Sequence, residues 1–475
     1  MSSPGAARFP ARRGLLWSAP MSEGSAQKLI TDLEARGVTR AKIGGFDVDG
    51  VLRGKYVSLE KLKSALEGGF GFCDVIFGWD IADVLYDNAQ VTGWHTGYPD
   101  AHAVLDPSTL RYLPWEPHTA AMLADFRANS AGEPHPACPR SLLRRVIDRA
   151  AAMGFSAKFA CEFEFFMFRE TPHSLHEKGF QGLTSLTPGM FGYSWVREGQ
   201  QQKLMSDILD GMRAFDVEIE ALHTETGPGV FEVAIRYDDV LRAADKAALF
   251  KVGMKQIAHD NGLSVTFMAK WNASLPGSSG HLHQSLWRGG ENVFASSNGE
   301  MSQLMRHYVG GQCALMPELT ALYSPTINAY KRYVPGVWAP LTATWGVENR
   351  TTAIRLIGLG SPAARVEYRQ TAADINPYIA MATCLAAGLH GIEHAIEPPP
   401  QVRGDAGDGS VADPARRPIP RTLAEATRQL GESKAAREIL GEAFVDHYVR
   451  TRAWEVRQYE RAVTDWELKR YFEAV

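Results

Sequence analysis

The chain has 475 residues, of which 45% are hydrophobic and 22% charged, as in an ordinary soluble globular protein. Its net charge of -4 gives no sign of binding to nucleic acid, and no apolar run reaches the roughly 18 residues that a membrane-spanning helix needs. The five cysteines are widely spaced and form no CxxC pair, which argues against a disulfide framework or a zinc cluster and favours a reducing, cytoplasmic compartment.

The first twenty residues differ in composition from the rest of the chain. They carry Arg8, Arg12 and Arg13 and no acidic residue, and a more ordinary sequence begins at Met21. An acid-free segment with arginines is also compatible with a transit peptide. We expect residues 1–20 to form a disordered extension, because chain ends are seldom ordered unless something ties them down.

Residues 21–125 are expected to form a small N-terminal domain rich in β-strands. A helix is predicted over residues 25–37, with a serine near its start and a glycine at its end. Two strand-like runs then meet at Asp49-Gly50, a dipeptide typical of β-hairpin turns. Repeated Gly, Asp and Pro residues divide the remainder into short strands.

Residues 135–475 are expected to form a large second domain, which begins after a proline-rich loop. Strand-like runs alternate there with long amphipathic helices, which indicates an α/β or α+β domain. Residues 398–420 are rich in Pro, Gly, Asp and Arg and are expected to be an exposed flexible loop. The predicted strands are 158–168, 217–225, 231–237, 264–271 and 281–287, and the predicted helices are 141–154, 238–262, 422–440 and 444–472.

Glu162 and Glu164 are two carboxylates, one residue apart, inside an apolar run. On a β-strand, residues i and i+2 point to the same side, so both carboxylates would leave one face of a buried strand. Like charges at that distance raise each other's pKa unless a cation lies between them. A solvated strand face would explain the pair equally well, and the pair alone does not decide between the two interpretations.

Four further motifs carry polar residues typical of binding sites. Residues 225–232 (ETGPGVFE) place two carboxylates around a Gly-Pro-Gly turn, and residues 280–285 (GHLHQS) place two histidines on one strand face. Each motif alone has an ordinary structural explanation, such as a salt-bridged face or a glycine turn. The other two motifs are the pair NAYKRYVPG (328–336) and NRTTAIR (349–355), and the pair RVEYR (365–369) and NPY (376–378).

Taken together, the motifs favour a site that binds divalent metal ions and phosphate. Five glutamates and one histidine form an oxygen-rich donor set, which suits Mg²⁺ or Mn²⁺ better than zinc. Five arginines suit the recognition of carboxylate and phosphate groups. Divalent metals combined with arginines indicate the binding and transfer of a phosphoryl group.

In this order the motifs resemble those of the glutamine synthetase superfamily, from about residue 25 to the C-terminus. The resemblance implies an α+β fold, with a small N-terminal β-grasp domain and a large catalytic domain built on a curved antiparallel sheet with flanking helices. It also implies a homo-oligomeric double ring with active sites between neighbouring subunits. In the family's reaction, ATP phosphorylates the γ-carboxylate of L-glutamate, and an amine then displaces the phosphate.

The resemblance also implies a role for each matching residue. Two to three Mg²⁺ or Mn²⁺ ions are expected per site, one held by Glu164, Glu225 and Glu232, and another by Glu162, His281 and Glu367. The substrate glutamate is expected at Arg332, Arg369 and Gly280. The ATP phosphates are expected at Arg350, Arg355 and Arg365, with Arg350 also acting in catalysis, and the rest of the nucleotide at Glu220, His283 and Ser285.

The amine half of the site departs from the ammonia-using members of the family. In an ungapped match, Trp338 takes the position of a flap glutamate that helps those members remove a proton from ammonium. An indole cannot accept a proton, but it can stack on an alkyl chain or an amine cation. Alternatively, Trp338 only packs the flap shut. Residues 72–80 keep a candidate catalytic aspartate, Asp74, but lack the family's serine pattern, and which aspartate aligns stays open.

These departures resemble the γ-glutamylamine ligase branch, whose members act on polyamines, ethanolamine and similar amines. The sequence therefore favours an ATP-dependent ligase that joins the γ-carboxylate of L-glutamate to an organic amine through a γ-glutamyl phosphate. Two alternatives stay open: a glutamine synthetase that uses ammonia, and a catalytically inactive structural member of the fold. No nucleic-acid or membrane partner is expected, and no adenylylation control either, because residues 398–420 contain no tyrosine.

Overall fold

The structure is a computed structural model that describes residues 20–128, 132–296, 299–407 and 416–475. The extension predicted for residues 1–20 therefore lies, apart from Pro20, outside the described residues. The same holds for residues 408–415 of the predicted loop 398–420.

The α-helices of the described ranges are numbered in chain order. They are α1 (Glu23–Ala35), α2 (Leu59–Gly68), α3 (Pro139–Ala152), α4 (Pro172–Glu177), α5 (Trp195–Gly199), α6 (Gln202–Ala214), α7 (Val240–Asp260), α8 (Gln303–Tyr323), α9 (Pro377–Glu393), α10 (Leu423–Glu432), α11 (Lys434–Leu440), α12 (Glu442–Arg461) and α13 (Asp465–Tyr471).

The β-strands are numbered in the same way. They are β1 (Arg40–Phe46), β2 (Leu52–Ser58), β3 (Phe70–Cys73), β4 (Asp100–Leu105), β5 (Arg111–Tyr112), β6 (Thr119–Arg127), β7 (Ser156–Phe168), β8 (Ile219–Thr224), β9 (Val230–Ile235), β10 (Asp238–Asp239), β11 (Ser264–Thr266), β12 (Gly280–Arg288), β13 (Glu291–Asn292), β14 (Trp345–Val347), β15 (Ile354–Ile357) and β16 (Arg365–Tyr368).

The N-terminal strands form a small sheet in the order β2-β1-β6-β4-β3, with β5 beside β6. Its central pair, β1 and β6, is parallel, and the flanking pairs are antiparallel. Helix α2 connects β2 to β3 and packs against this sheet. A parallel central pair covered by one crossing helix is the β-grasp arrangement expected from the sequence.

The hairpin predicted at Asp49-Gly50 is confirmed, since β1 and β2 pair in register on either side of it. Gly50 has a φ of 79°, which a residue without a Cβ adopts at low cost. The Asp47 carboxylate accepts hydrogen bonds from the backbone N–H groups of Asp49 (3.0 Å) and Val51 (2.9 Å). The Asp47 side chain thus stabilises the turn in addition to the backbone hydrogen bonds between β1 and β2.

The large sheet has the order β14-β15-β16-β12-β7-β9-β8, with β10 and β11 beside β7 and β13 beside β12. Its pairs are antiparallel, as expected, except for β14 and β15, which run parallel. This pair needs no helical crossover because each strand is short, so the chain of residues 348–353 is long enough to return beside β14. The fold is therefore of the α+β class, with helices on the sheet.

Strand β7 orients the site because its two faces differ. Phe163 and Phe165 are fully buried, and each packs its ring against Phe250 of helix α7 with centroids 6.0 Å apart. Glu162 and Glu164 alternate with them and therefore point to the opposite face. Burial of one phenylalanine stabilises the fold by roughly 1.5–3 kcal/mol, so the apolar face fixes the direction of the carboxylates.

One predicted strand and two predicted helices have different bounds in the structure. The strand expected over 264–271 is limited to Ser264–Thr266, and the helices expected over 422–440 and 444–472 are each divided in two. Ser433 explains the first division, since its Oγ accepts a hydrogen bond from Ala436 N (3.0 Å) and caps α11. In the described part of the chain, no helix is long and apolar enough to cross a membrane.

Candidate active site

Cross-strand pairing brings predicted site residues onto one face of the large sheet. Glu162 of β7 pairs with His281 of β12, and His283 of β12 pairs with Glu367 of β16. Directly paired residues of neighbouring strands point to the same side, and so do residues two apart on one strand. These four side chains, from three strands, therefore meet on the face opposite the phenylalanine core.

Glu162, His281 and Glu367 form the first compact group, in which one ligand atom from each lies within 4.8 Å of the others. His281 Nδ1 lies 3.0 Å from Glu162 Oε1 and 3.5 Å from Glu367 Oε1. His281 is 5% exposed and Glu367 is 1% exposed. Two carboxylates and one imidazole thus converge in a place from which water is largely excluded.

The electrostatics of this group favour ionised carboxylates. Burial alone would raise the pKa of Glu162, but His281 and His283 outweigh it and hold that pKa well below its usual value. Burial likewise opposes ionisation of Glu367, while His281 and Arg369 lower its pKa overall. The pKa of His281 is raised, because the two carboxylates outweigh burial and the charge of Arg369. Both carboxylates are therefore held in the ionised form, which is the form that binds a metal ion.

His223, Glu225 and Glu232 form a second compact group, again with ligand atoms within 4.8 Å of one another. His223 Nε2 lies 3.0 Å from Glu232 Oε1. Glu164 of β7 pairs directly with Glu232 of β9, so its side chain lies on the same face. The structure thus places Glu164, Glu225 and Glu232, predicted as one ligand set, together at neighbouring strands.

The Gly-Pro-Gly turn holds Glu225 beside β9. Glu225 N donates to the carbonyl oxygen of Val230 (3.0 Å), which closes the turn. Gly229 has a φ of 73°, and a Cβ there would lie 2.6 Å from the carbonyl oxygen of Met167. A side chain at this position would therefore push the turn, and Glu225 with it, away from β7.

The second group holds more negative charge than its surroundings balance. Burial and the nearby charge of Glu232 raise the pKa of Glu164 to about 7, although His281, Arg332 and a hydrogen bond from Ser279 N (2.7 Å) oppose the shift. The pKa of His223 rises to about 9, because its hydrogen bond with Glu232 outweighs burial. A bound cation would relieve this repulsion between carboxylates.

Three arginines, in β15, in β16 and directly after β16, border Glu367 of the first group and the neighbouring His283. Arg355 Nη1 lies 3.2 Å from Glu367 Oε2, and Arg369 Nη1 forms an ion pair with Glu367 Oε1. Arg365 Nε donates to His283 Nδ1 (3.2 Å), which leaves Nε2 of that ring to carry its N–H. The structure thus brings these predicted arginines into direct contact with the carboxylate and histidine group.

Arg332 is 3% exposed and is held from two sides. Its Nη2 donates to Ser279 Oγ (2.9 Å), and its Nη1 donates to the carbonyl oxygen of Gln370 (3.2 Å). A Cβ at Gly277 would lie 2.7 Å from Arg332 Cγ, so this glycine makes room for the arginine stem. A Cβ at Gly280 would lie 2.9 Å from the carbonyl oxygen of Ala372, so packing alone already requires a glycine there.

Three residues predicted to bind ATP form no hydrogen bond or ion pair with the two carboxylate groups in the described part of the chain. Ser285 shares the strand face of His281 and His283, and its Oγ accepts a hydrogen bond from Trp287 Nε1 (2.9 Å). Arg350 is exposed, and its carbonyl oxygen accepts a hydrogen bond from Arg369 Nε (3.2 Å). Glu220 is exposed on the edge strand β8, where the register shifts between Ile219 and Ala221.

Trp338 and Asp74, the two residues predicted to act on the amine, lie outside the strands of the large sheet. Trp338 is 69% exposed on an irregular segment, residues 333–341, which we call the flap segment. Asp74 is buried at the start of a 3₁₀ turn, Asp74–Phe77, and accepts a hydrogen bond from Thr92 Oγ1 (2.6 Å). Burial raises the pKa of Asp74 despite this hydrogen bond. Its described contacts lie within the small-sheet part of the chain.

Sequence reasoning missed three residues of this face. His223 completes the second group, and Tyr193 stacks on its ring with centroids 4.3 Å apart. The spacing of His223, in β8, and Glu225, directly after it, equals that of Glu162 and Glu164 and could have revealed the histidine. Ser279 contacts both Glu164 and Arg332, but nothing in its sequence context marks it, because its role depends on the approach of two distant strands.

A large cavity of about 1030 Å³ lies elsewhere, between the small-sheet part and helix α7. Its lining includes Gly50, Lys251 and Asp374, and none of the carboxylates of the two groups. The charged face is therefore not the wall of this cavity.

Comparison with known proteins agrees with this geometry. Residues 136–471 match the family model of the glutamine synthetase catalytic domain. The chain is 46% identical over 439 residues to type-1 glutamine synthetase 2 of Dictyostelium discoideum, covering 91% of this chain and 84% of that protein. It is 38% identical to the glutamate–isopropylamine ligase of a Pseudomonas species, covering 96% of this chain and 100% of that protein.

Among solved structures, apo GmaS superposes with a TM-score of 0.81 at 28% sequence identity, covering 94% of this chain and 99% of that chain. The α+β fold and its carboxylate-bearing sheet therefore belong to a known class of ligases. The chain is a member of the glutamine synthetase family, and its relatives include the γ-glutamylamine ligase branch. It is an ATP-dependent ligase, and the family generally uses ATP and divalent metal ions.

Proposed function

We propose that the enzyme joins the γ-carboxylate of L-glutamate to an organic amine, by way of a γ-glutamyl phosphate formed from ATP. The observation that carries the choice of amine is Trp338, an exposed indole on the flap segment. The resemblance places a proton-accepting glutamate there in members that use ammonia. An indole accepts no proton but offers an apolar, electron-rich face to an alkylammonium ion.

The two carboxylate–histidine groups fit divalent metal ions. Glu162, His281 and Glu367 would hold one ion, and Glu164, Glu225 and Glu232 another, with His223 adjacent to the second. Carboxylate-rich donor sets suit Mg²⁺ and Mn²⁺, and we propose two to three such ions per site. When bound, these ions would neutralise the negative charge of the phosphates and of the carboxylate that they meet.

Different arginines would bind the two anionic substrates, ATP and L-glutamate. Arg355 and Arg365, whose guanidinium groups border the Glu367 and His283 side chains, would take the ATP phosphates together with Arg350. Glu220, His283 and Ser285 would lie on the nucleotide side. Arginine suits this task because its planar group donates two parallel hydrogen bonds to phosphate or carboxylate.

Arg332 and Arg369 would hold the substrate glutamate, and Gly280 would lie beside it. Both arginines are at least nine-tenths buried, so they keep fixed positions and their charges are weakly screened. Arg332 is tied to Ser279 and Arg369 to the backbone of Arg350. Prior fixation of this kind lets the γ-carboxylate meet the terminal phosphate without reordering the site.

The acyl phosphate would then be attacked by the amine on the side of the flap segment. Trp338 would cover this side, and Asp74 would take a proton from the incoming amine. The described contacts of Asp74 lie within the small-sheet part, while the carboxylate groups lie on the large sheet. A double ring whose neighbouring subunits share each site would account for this separation, and we propose that assembly.

Ammonia is the second candidate for the nitrogen substrate. The Dictyostelium discoideum relative, which carries the name of a glutamine synthetase, is 46% identical to this chain. That observation favours glutamine formation, whereas the flap segment favours an amine with carbon substituents. A catalytically inactive structural role finds no support, since every predicted metal-ligand position holds a carboxylate or a histidine.

Phosphate release from ATP, measured with glutamate and a panel of nitrogen donors, tests the proposal. The panel comprises ammonia, methylamine, isopropylamine, ethanolamine, putrescine and spermidine, with product masses identified in each mixture. We expect one or more organic amines to give a higher kcat/KM than ammonia. A wide advantage for ammonia over every amine would establish the second candidate instead. No Mg²⁺-dependent ATP turnover with any donor would restore the inactive alternative.

A further inference from the structure

A third cluster of metal-ligating side chains lies outside the charged face of the large sheet. It consists of His390, His394 and Glu438, which each offer a ligand atom within 4.8 Å of the others. The two histidines lie one helical turn apart at the C-terminal end of α9, and the glutamate lies on α11, which packs against α9. None of the three residues belongs to the motifs that carry the ligase chemistry.

The histidines are arranged as metal ligands are. His394 Nδ1 donates its hydrogen to the carbonyl oxygen of His390 (3.0 Å), because a carbonyl can only accept. This bond fixes the tautomer and leaves a lone pair on His394 Nε2. A ligating histidine commonly has this arrangement, with its other ring nitrogen bonded to a carbonyl or carboxylate oxygen.

His390 supplies an independent indication of a metal site. Its Nδ1 is buried and has no hydrogen-bond partner among the described residues, an unfavourable state for a polar atom. Its ring lies beside that of His394 with centroids 4.1 Å apart.

The cluster is accessible from solvent. Arg149 of α3 lies nearby and forms an ion pair with Glu393. His394 and Glu438 are exposed, which leaves a path from solvent and room for water ligands. Two imidazoles and one carboxylate suit Zn²⁺ and related ions, whereas the carboxylate-rich groups of the large sheet suit Mg²⁺ or Mn²⁺.

We propose that His390, His394 and Glu438 bind one divalent ion of the zinc class, which fastens the end of α9 to α11. The ion is separate from those of the ligase reaction. Its ligands come from two helices, so binding stabilises their packing, and the free energy of unfolding rises with the logarithm of the ratio of ion concentration to Kd.

Zinc titration of the full-length enzyme in a large excess of Mg²⁺ tests the proposal, since Mg²⁺ occupies the carboxylate groups of the large sheet. We compare the unaltered enzyme with His394→Ala and Glu438→Gln, and with His259→Ala, which removes an exposed histidine at the end of α7. The unaltered enzyme and His259→Ala should bind one more Zn²⁺ per chain than His394→Ala. Glu438→Gln should weaken that binding about tenfold, the loss of one ligand.

Thermal unfolding supplies a second measurement. Added Zn²⁺ should raise the Tm of the unaltered enzyme and of His259→Ala by several degrees and leave that of His394→Ala unchanged. The Mg²⁺-dependent ligase activity should be the same in all four proteins. Equal zinc stoichiometry and affinity in the unaltered enzyme and in His394→Ala would overturn the proposal.

Discussion

The charged face of the large sheet and the flap segment differ in how their side chains are held. On the sheet, His281 and Glu367 are almost fully buried, and each contacts at least two charged partners from other strands. On the flap segment, Val334, Val337 and Trp338 are between 42% and 69% exposed. Strand register therefore fixes the groups that would handle phosphate, while a loop carries the group that would choose the amine.

The difference explains how one family can keep its phosphoryl chemistry and change its acceptor. A substitution on the sheet leaves several buried charges without partners, and such charges are costly. A substitution on an exposed loop is usually nearly neutral for stability. The account therefore predicts large, general losses from changes on the sheet and selective changes from the flap segment.

The largest effect is expected from Glu367→Gln, which keeps the shape of the side chain and removes its charge. Arg355, Arg369 and His281 would lose a common partner, and kcat should fall about 10²- to 10³-fold with every nitrogen donor. Steady-state kinetics with ammonia and an organic amine measures this. Glu170→Gln is the control, since Glu170 is also buried but contacts Lys178 and Ser174. Equal losses in both variants would mean that general destabilisation is responsible.

A smaller effect is expected from Gly277→Ala. The added Cβ would lie 2.7 Å from Arg332 Cγ and from the carbonyl oxygen of Ala269, so the arginine must shift. If Arg332 holds glutamate, the KM for glutamate should rise about ten- to a hundredfold, while the KM for ATP changes little. Gly262→Ala, at an exposed turn after α7, should leave both constants nearly unchanged. A KM for glutamate that stays at its original value in Gly277→Ala would remove Arg332 from the binding site.

Trp338→Glu tests the flap segment itself. A carboxylate at this position should accept a proton from ammonium and lose the apolar contact with an alkyl chain. The ratio of kcat/KM for ammonia to that for the preferred amine should rise about tenfold. Val337→Glu is the matched control, with the same charge one residue earlier on the same segment. An unchanged ratio in Trp338→Glu, or the same shift in Val337→Glu, would count against a specific role for Trp338.

The smallest effect is expected on thermal stability, through two buried histidines outside the charged face and the flap segment. Burial lowers the pKa of His135 to about 3 and that of His447 to about 4, while both side chains take up protons near pH 6.5 in the unfolded chain. Between those values the unfolded state binds more protons, so stability falls as the pH falls from about 6.5 towards 4. Scanning calorimetry should show the Tm falling by a few degrees across this range.

His447→Phe sharpens this prediction. Neither ring nitrogen of His447 has a partner among the described residues, so the change strands no hydrogen bond. The variant should lose part of the pH dependence of the Tm and keep its ligase activity at neutral pH. A pH profile identical to that of the unaltered enzyme would exclude His447 as a cause.

Much of the sheet could be predicted from local pattern. The alternation of Phe163 and Phe165 with Glu162 and Glu164 predicts which way the carboxylates point, because an apolar face must pack on something. The Asp49-Gly50 hairpin followed from turn chemistry. The division at Ser433 of the helix predicted over residues 422–440 could not be predicted in the same way, since serine caps a helix only where the chain already turns.

The site residues that belong to sequence motifs could be predicted from the sequence. Glu164 and Glu232 were assigned to one group from the family resemblance, and the β7–β9 register places them opposite each other. Ser279 and Gly277, by contrast, act through Arg332, more than fifty residues away. Their importance lies in the close approach of separate segments, which a single sequence does not display.

A competition experiment tests the central claim most directly, namely that an organic amine is the acceptor. One mixture holds the enzyme, L-glutamate, ATP, Mg²⁺ and equal concentrations of ammonium and the amine that performs best in the panel, and mass spectrometry counts the products. The ratio of products equals the ratio of the two kcat/KM values, independent of enzyme concentration. The account predicts that the γ-glutamylamide of the organic amine exceeds glutamine, and a mixture dominated by glutamine would contradict it.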